Sequence, residues 1–178
     1  MSYINTYTKK LFDPLAPDVD SIDIIDIAHA LSLTCRANGH FPIFYSVAQH
    51  SINCMNEAIA RGYSKKVQLG CLLHDASEAY MSDITRPVKK NLANYIQYEK
   101  VLQDKIFEKW GLSALNIGEC NKITDIDDAI LYYEFVDLMD ERLFETKPMI
   151  YSNPQFITED FSAVENKFIK CFERLTRQ

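Results

Sequence analysis

A chain of 178 residues, 47% apolar and carrying a net charge of −6, can bury a core in a single domain and is not built for general nucleic-acid binding, which calls for a basic surface. No apolar stretch approaches the length that spans a bilayer, and the first ten residues hold no apolar signal-peptide segment, so neither an anchor nor a leader is expected. The five cysteines (Cys35, Cys54, Cys71, Cys120 and Cys171) are odd in number and scattered, which predicts reduced, mostly buried thiols in a cytoplasm rather than a disulfide framework.

In chain order the pattern predicts helices and almost nothing else. Residues 1–20, with Pro14 and Pro17, read as an irregular arm with room for a short β-hairpin. Ser21 or Asp23 caps a helix running to about Ala37, with Ile24, Ile27, Ala28 and Leu31 on one face. His40 to Tyr45, holding Pro42, is a loop. Ser46 caps a second helix from Val47 to about Arg61, closed by Gly62. Ser64 starts a third, from Lys65 to about Tyr80, with Val67, Cys71, Leu72 and Ala79 facing inward. Residues 82–87 are a loop stopped by Pro87. Long helices follow at about Ala93–Trp110 and Ile123–Asp140, and a last one at about Thr158–Arg174 begins on a capping signal. The expectation is an all-α, single-domain bundle whose core spans about residues 20–140, with the C-terminal helix packing on it.

The chemistry concentrates at Cys71-Leu-Leu-His-Asp-Ala-Ser-Glu78. Imidazole nitrogen and carboxylate oxygen are both good ligands for a divalent ion. Adjacent residues on a helix do not share a face, so His74 and Asp75 can hold one ion only in a cleft that other helices complete. His50 lies one helix earlier; alone it reads as a core or surface histidine. Glu78 is at i+4 from His74 and projects toward the same cleft, and Asp83 follows on the next loop. Asp125, Asp127 and Asp128 stand at the expected start of a helix, where the helix dipole explains acids well. Asp127, however, shares a face with Ile123, Ile130 and Leu131. His50, His74, Asp75 and Asp127 together make one four-ligand site with positions left for water and substrate. His29, between alanines, reads as structural.

The order His50, His74-Asp75, Asp127 resembles the HD-domain metal-dependent phosphohydrolases. The strings Tyr45-Ser-Val-Ala-Gln-His-Ser, Leu73-His-Asp-Ala-Ser-Glu-Ala-Tyr-Met-Ser-Asp-Ile-Thr-Arg-Pro-Val-Lys and Asp127 to Glu134 are similar to the branch holding bacterial 5′-deoxynucleotidases and phage-type dATP triphosphohydrolases. The resemblance covers roughly residues 20–140. It implies an HD-type helical bundle with the metal between its central helices, often in a homodimer. It implies His50, His74, Asp75 and Asp127 as ligands and Glu78 as the catalytic acid. Asp83 matches a residue used in catalysis or in holding the nucleotide. The deoxynucleotidases place an Arg-Trp pair before the first metal histidine; here Arg36 is followed by Ala37.

A bound divalent ion lowers the pKa of water and polarises a phosphoryl oxygen, and Glu78 would move the proton. Arg36, Arg86, Lys89 and Lys90 are the cations nearest the site in sequence, with His40 a further phosphate contact or a loop-packing residue. One ion is expected, since no histidine is left for a second; Mn, Co, Fe, Zn or Mg would fit the ligands. The expected activity is removal of the 5′-phosphate from deoxynucleoside monophosphates. The alternatives are a dNTP triphosphohydrolase releasing triphosphate, and a nucleotide-binding protein without turnover. A nucleotide substrate and a homodimer are the expected partners, with no nucleic-acid polymer and no membrane.

Overall fold

Helical periodicity governs most of the chain in a computed structural model, whose described residues are 3–177. The protein is all-α apart from a two-stranded hairpin, and no helix is long and apolar enough to cross a membrane. The hairpin pairs β1, Ile4–Asn5, antiparallel with β2, Leu11–Phe12. Thr8 donates its backbone N–H and its hydroxyl to the Asp26 carboxylate (2.7 and 2.9 Å), so the arm is tied to the first helix. Phe12 is buried and stacks on Tyr80 at 4.2 Å.

α1 is Ile24–Leu33, capped by Asp23. It stops four residues short of the expected end. The hydroxyls of Ser32 and Thr34 donate to the carbonyls of Ala28 and Ala30, giving the backbone an alternative to helix. A 3₁₀ turn follows at Arg36–Gly39, so Arg36 lies outside the helix. α2, Val47–Ala60, starts on a capping box: Ser46 Oγ accepts from Gln49 N–H, and Gln49 Oε1 accepts from Ser46 N–H.

The expected third helix is broken in two. α3 is Lys65–Leu73 and α4 is Glu78–Met81, with a tight turn at 74–77. The expected loop holds over residues 82–85, and α5, Arg86–Lys89, takes its last two residues, because Pro87 starts a helix as readily as it stops one. α6 is Ala93–Lys109. α7 is Ile117–Met139, beginning six residues before the expected start on a second capping box, Asn116 with Glu119. α8 is Phe161–Thr176, capped by Asp160 rather than Thr158.

One apolar cluster gathers Ile27 and Leu31 of α1, Met55 of α2, Leu72 and Leu73 of α3, Leu102 and Ile106 of α6, and Val164 and Phe168 of α8. A second joins Cys54 and Ala58 of α2, Val67 and Cys71 of α3, and Ile123, Ile126 and Ile130 of α7. α2 and α3 thus have apolar partners on two sides, and the polar residues between those sides become the site. All five thiols are free; Cys54 and Cys71 are buried, but Cys120 is exposed, against the expectation of mostly buried thiols.

Candidate metal centre

Three helices converge on one point. His50 projects from the first turns of α2, fully buried, and its position is set by the Ser46 capping box just before it. His74 and Asp75 sit in the turn between α3 and α4. Ending α3 at Leu73 frees a carbonyl and an N–H that a continuous helix would pair. Gln103 of α6 meets both: its Oε1 accepts from Ser77 N–H at 3.0 Å, and its Nε2 donates at 2.7 Å to Leu73 O, which also accepts from Ala76 N–H at 3.1 Å. Asp127 comes from the third turn of α7, among Ile123, Ile126 and Ile130. It is therefore not an acid of a helix start, and the helix dipole does not account for it.

The donor atoms lie close together. His50 Nε2 is 3.1 Å from Asp127 Oδ1, 3.3 Å from His74 Nε2 and 3.7 Å from Asp75 Oδ2. His74 Nε2 is 3.2 Å from Asp75 Oδ2 and 3.6 Å from Asp127 Oδ1. Donors about 2.0–2.2 Å from one ion stand about 3 Å apart at right angles and about 3.4 Å apart in a tetrahedron. The spacing fits a single ion.

Both imidazoles are turned by their other nitrogen. His50 Nδ1 is 2.6 Å from Glu134 Oε1, and His74 Nδ1 is 2.8 Å from the carbonyl of Cys71. A carboxylate or carbonyl at Nδ1 fixes the proton there and leaves Nε2 as the ligand lone pair. Asp127 and Glu134 are seven residues apart, two turns along one face of α7, and grip His50 at both nitrogens. Glu134 is fully buried. Burial works against its charge, but His50 and Arg36 hold its carboxyl below the usual carboxylate range. For Asp127 burial is outweighed by hydrogen bonds from the Nε2–H groups of His50 and His74, both imidazoles standing above their ordinary range; a bound ion would take the place of those Nε2 protons. A further donor is present: the Cys54 thiol is 3.5 Å from His50 Nε2, and the donor atoms of His50, Cys54 and His74, which could hold a metal ion, all lie within 4.8 Å of one another.

A cleft of about 650 Å³ opens beside the cluster, with a charged lining of Arg36, Asp75, Glu78, Asp83, Arg86 and Asp127. Phe41, Leu131, Phe135, Leu143 and Phe144 supply its apolar lining. Glu78 is 5% exposed, and its Oε2 has no hydrogen-bond partner among the described residues. Burial, then the carboxylates of Asp75 and Asp83, push its carboxyl well above the usual range. Asp83 is raised as well, by burial against the pull of Arg36, with Asp75 adding to the rise.

The candidate cations differ in placement. Arg36 is buried, with Nη1 at 3.4 Å from Asp75 and 3.8 Å from Asp83 and Nη2 at 3.5 Å from Glu134. Its Nη2 is nearly equidistant from the two ring nitrogens of His50 (3.3 and 3.4 Å), which places the guanidinium over the imidazole face. Ala37 and Asn38 adopt left-handed backbone (φ 52° and 51°), folding the turn so that Arg36 points inward. The Arg86 side chain, 57% exposed, bridges Asp127 (2.8 Å) and Asp128 (2.6 Å). Lys89 lines the cleft but is paired with Glu99 at 2.6 Å, and exposed His40 sits at the mouth. Lys90 is exposed and does not line the cleft. His29 bonds Glu165 at 2.9 Å and stacks on Tyr7, away from the cluster.

Glu134, Cys54 and Gln103 were not marked as site residues by the sequence. Glu134 is at i+7 from Asp127 and Cys54 at i+4 from His50, so helical spacing held a signal for both. Gln103 joins the site only through tertiary packing.

No protein-family model matches this chain. It is 40% identical over 112 residues, 63% of its length, to the uncharacterized protein YfdR of Escherichia coli (strain K12). It is 36% identical over 109 residues, 58% of its length, to an uncharacterized protein of Rhodobacter capsulatus. The matches span 60% and 55% of those relatives' own lengths.

Proposed function

We propose that the protein is an HD-domain, metal-dependent phosphohydrolase acting on nucleotides, with deoxynucleoside 5′-monophosphates as the preferred substrates. The observation that carries this reading is the pair of imidazoles turned by Glu134 and Cys71 O so that both Nε2 atoms meet the carboxylates of Asp75 and Asp127. His50, His74, Asp75 and Asp127 would hold one divalent ion, which supplies Lewis acidity toward water and a phosphoryl oxygen.

The chain's own residues do the rest. Glu78 borders the cleft with a raised pKa and a free oxygen, the state of a carboxyl able to donate a proton at neutral pH. In hydrolysis the water oxygen bonds phosphorus as the phosphorus–ester oxygen bond breaks; Glu78 delivers its proton to the departing oxygen, one proton of the water stays on the phosphate formed, and the other restores Glu78. Asp83, held near Arg36, orients that guanidinium and the substrate. Arg36 and Arg86 meet nonbridging phosphate oxygens, and the apolar lining of the cleft takes the base and sugar. His40 and Lys89 stand at the rim as further phosphate contacts.

One observation favours monophosphate over the triphosphohydrolase alternative. The cleft is lined by five acids, Asp75, Glu78, Asp83, Asp127 and Glu134, and by three Arg or Lys residues, Arg36, Arg86 and Lys89, each already beside an acid. A triphosphate needs more positive charge than this. A homodimer belongs to the same reading and rests on the resemblance; a cytoplasmic location is proposed from the odd number and scattered placement of the cysteines.

The test is a panel of nucleoside mono- and triphosphates with Mn²⁺ or Co²⁺, with phosphate, pyrophosphate and triphosphate measured separately. Metal-dependent phosphate release from deoxynucleoside monophosphates is expected. Triphosphate release from dNTPs would establish the alternative, and binding without any release would make the protein a nucleotide-binding module.

A further inference from the structure

We infer that Cys54 is a fifth donor to the ion, and that the site therefore selects a thiophilic divalent cation, Zn²⁺, Co²⁺ or Fe²⁺, over Mg²⁺. This rests on the metal site proposed above and deepens it by naming the class of ion.

Cys54 is one helical turn after His50 on α2, so both side chains leave the same face of the helix. Its Sγ stands 3.5 Å from His50 Nε2, and the wider separation from the His74 donor atom, at most 4.8 Å, has to close below about 4.4 Å for sulfur and both imidazoles to meet one ion. A sulfur about 2.3 Å from an ion and a nitrogen about 2.1 Å from it are separated by about 3.1 Å at right angles and about 3.6 Å in a tetrahedron. The observed distance to His50 Nε2 falls in that interval. The thiol is 1% exposed and belongs to the apolar cluster of α2, α3 and α7. The cleft is lined by Asp75 and Asp127 but not by Cys54. The sulfur thus approaches from the interior and leaves the cleft side open to water and substrate. Thiolate and imidazole suit zinc and its neighbours, whereas all-oxygen sites suit magnesium and manganese. A buried sulfur beside two imidazoles moves the donor set toward the first group.

The test loads the full-length protein with one equivalent of Co²⁺ and records its absorption. A near-ultraviolet thiolate-to-cobalt charge-transfer band is expected in the wild type, retained in Cys71→Ser and lost in Cys54→Ser. Competition against a chromophoric chelator should show Zn²⁺ affinity falling about tenfold or more in Cys54→Ser, with Mn²⁺ affinity little changed. The wild-type spectrum needs no variant, so a folding defect in Cys54→Ser does not shield the idea. Stoichiometric Co²⁺ without the band overturns the role of Cys54 and leaves the four-ligand site standing. Failure to take up Co²⁺ at all overturns both.

Discussion

Glu78 and Asp75 are three residues apart, and their environments separate them. Asp75 faces His74 and Arg36 and stays ionised, its carboxyl held low against burial. Glu78 has an unpartnered oxygen and a raised pKa. Carboxyls driven apart in this way are suited to different roles, and the proposed ones are ligand for Asp75 and proton carrier for Glu78. Glu78→Gln is accordingly expected to keep a stoichiometric metal and lower kcat by about a hundredfold or more. Elemental analysis beside steady-state kinetics decides it, and loss of the metal would make Glu78 a ligand instead. Glu134 acts through His50, so Glu134→Gln should weaken metal affinity by about 10–100-fold while leaving the helical content unchanged. Metal titration followed by circular dichroism separates that outcome from misfolding. The residue types of the cluster were legible in the sequence because so few histidines are available. Glu134 was harder to see, because a helical glutamate between Tyr133 and Phe135 has the look of a surface residue.

At the scale of elements, the break between α3 and α4 decides the geometry. No glycine or proline marks it, and the apolar pattern from Val67 to Ala79 runs on as if one helix continued. The break is held by a side chain from elsewhere, Gln103, which takes up the backbone groups that the break releases. That contact joins residues 26 and 30 positions apart and is invisible to local periodicity. Gln103→Leu leaves Ser77 N–H without its partner, and Leu73 O with only the Ala76 N–H at 3.1 Å, and is expected to cost about 1–3 kcal/mol in denaturant unfolding. It should also loosen metal binding by letting His74 and Asp75 shift. Unaltered stability and affinity would show that the turn holds itself. The early start of α7 was legible in principle from Asn116 and Glu119, but Gly118 in the first turn and the polar Asn121-Lys122 pair mask the apolar stripe. The hydroxyls of Ser32 and Thr34 at the end of α1 carry a weaker mark, since their bonds to the carbonyls four residues back also form within helices.

The whole molecule is tied together by contacts far apart in sequence, and these set its response to pH. The all-α class followed from the near absence of strand patterns and from the caps. The partners of each helix did not follow, because an apolar face says that something covers it and not what. α8 covers α1 with Val164 and Phe168, and His29 meets Glu165 across that seam. Glu57, fully buried on α2, gathers Arg61, the backbone N–H groups of Tyr151 and Ser152, and the Ser152 hydroxyl. It pins the segment between α7 and α8. Burial opposes its charge, but the bonds from Ser152 and Arg61 prevail and bring its carboxyl below its ordinary value of 4.5. Its stabilising contribution is therefore complete above pH 4.5 and is lost as pH falls from there through the lowered folded-state value. Wild type should exceed Glu57→Gln in Tm by a constant margin near neutrality, and the margin should shrink on acidification below pH 4.5. A margin independent of pH would mean that the contact is steric rather than ionic.

The most direct measurement for the metal centre is the metal content of the purified protein and of Asp75→Ala, determined by elemental analysis after exposure to excess divalent ion and desalting. One tightly held ion per chain is expected in the wild type, with less than a tenth of that occupancy in Asp75→Ala, a lower Tm for the variant and unchanged far-ultraviolet circular dichroism. A stoichiometric ion retained by Asp75→Ala, with turnover near that of the wild type, would contradict the assignment of His50, His74, Asp75 and Asp127 as its ligands.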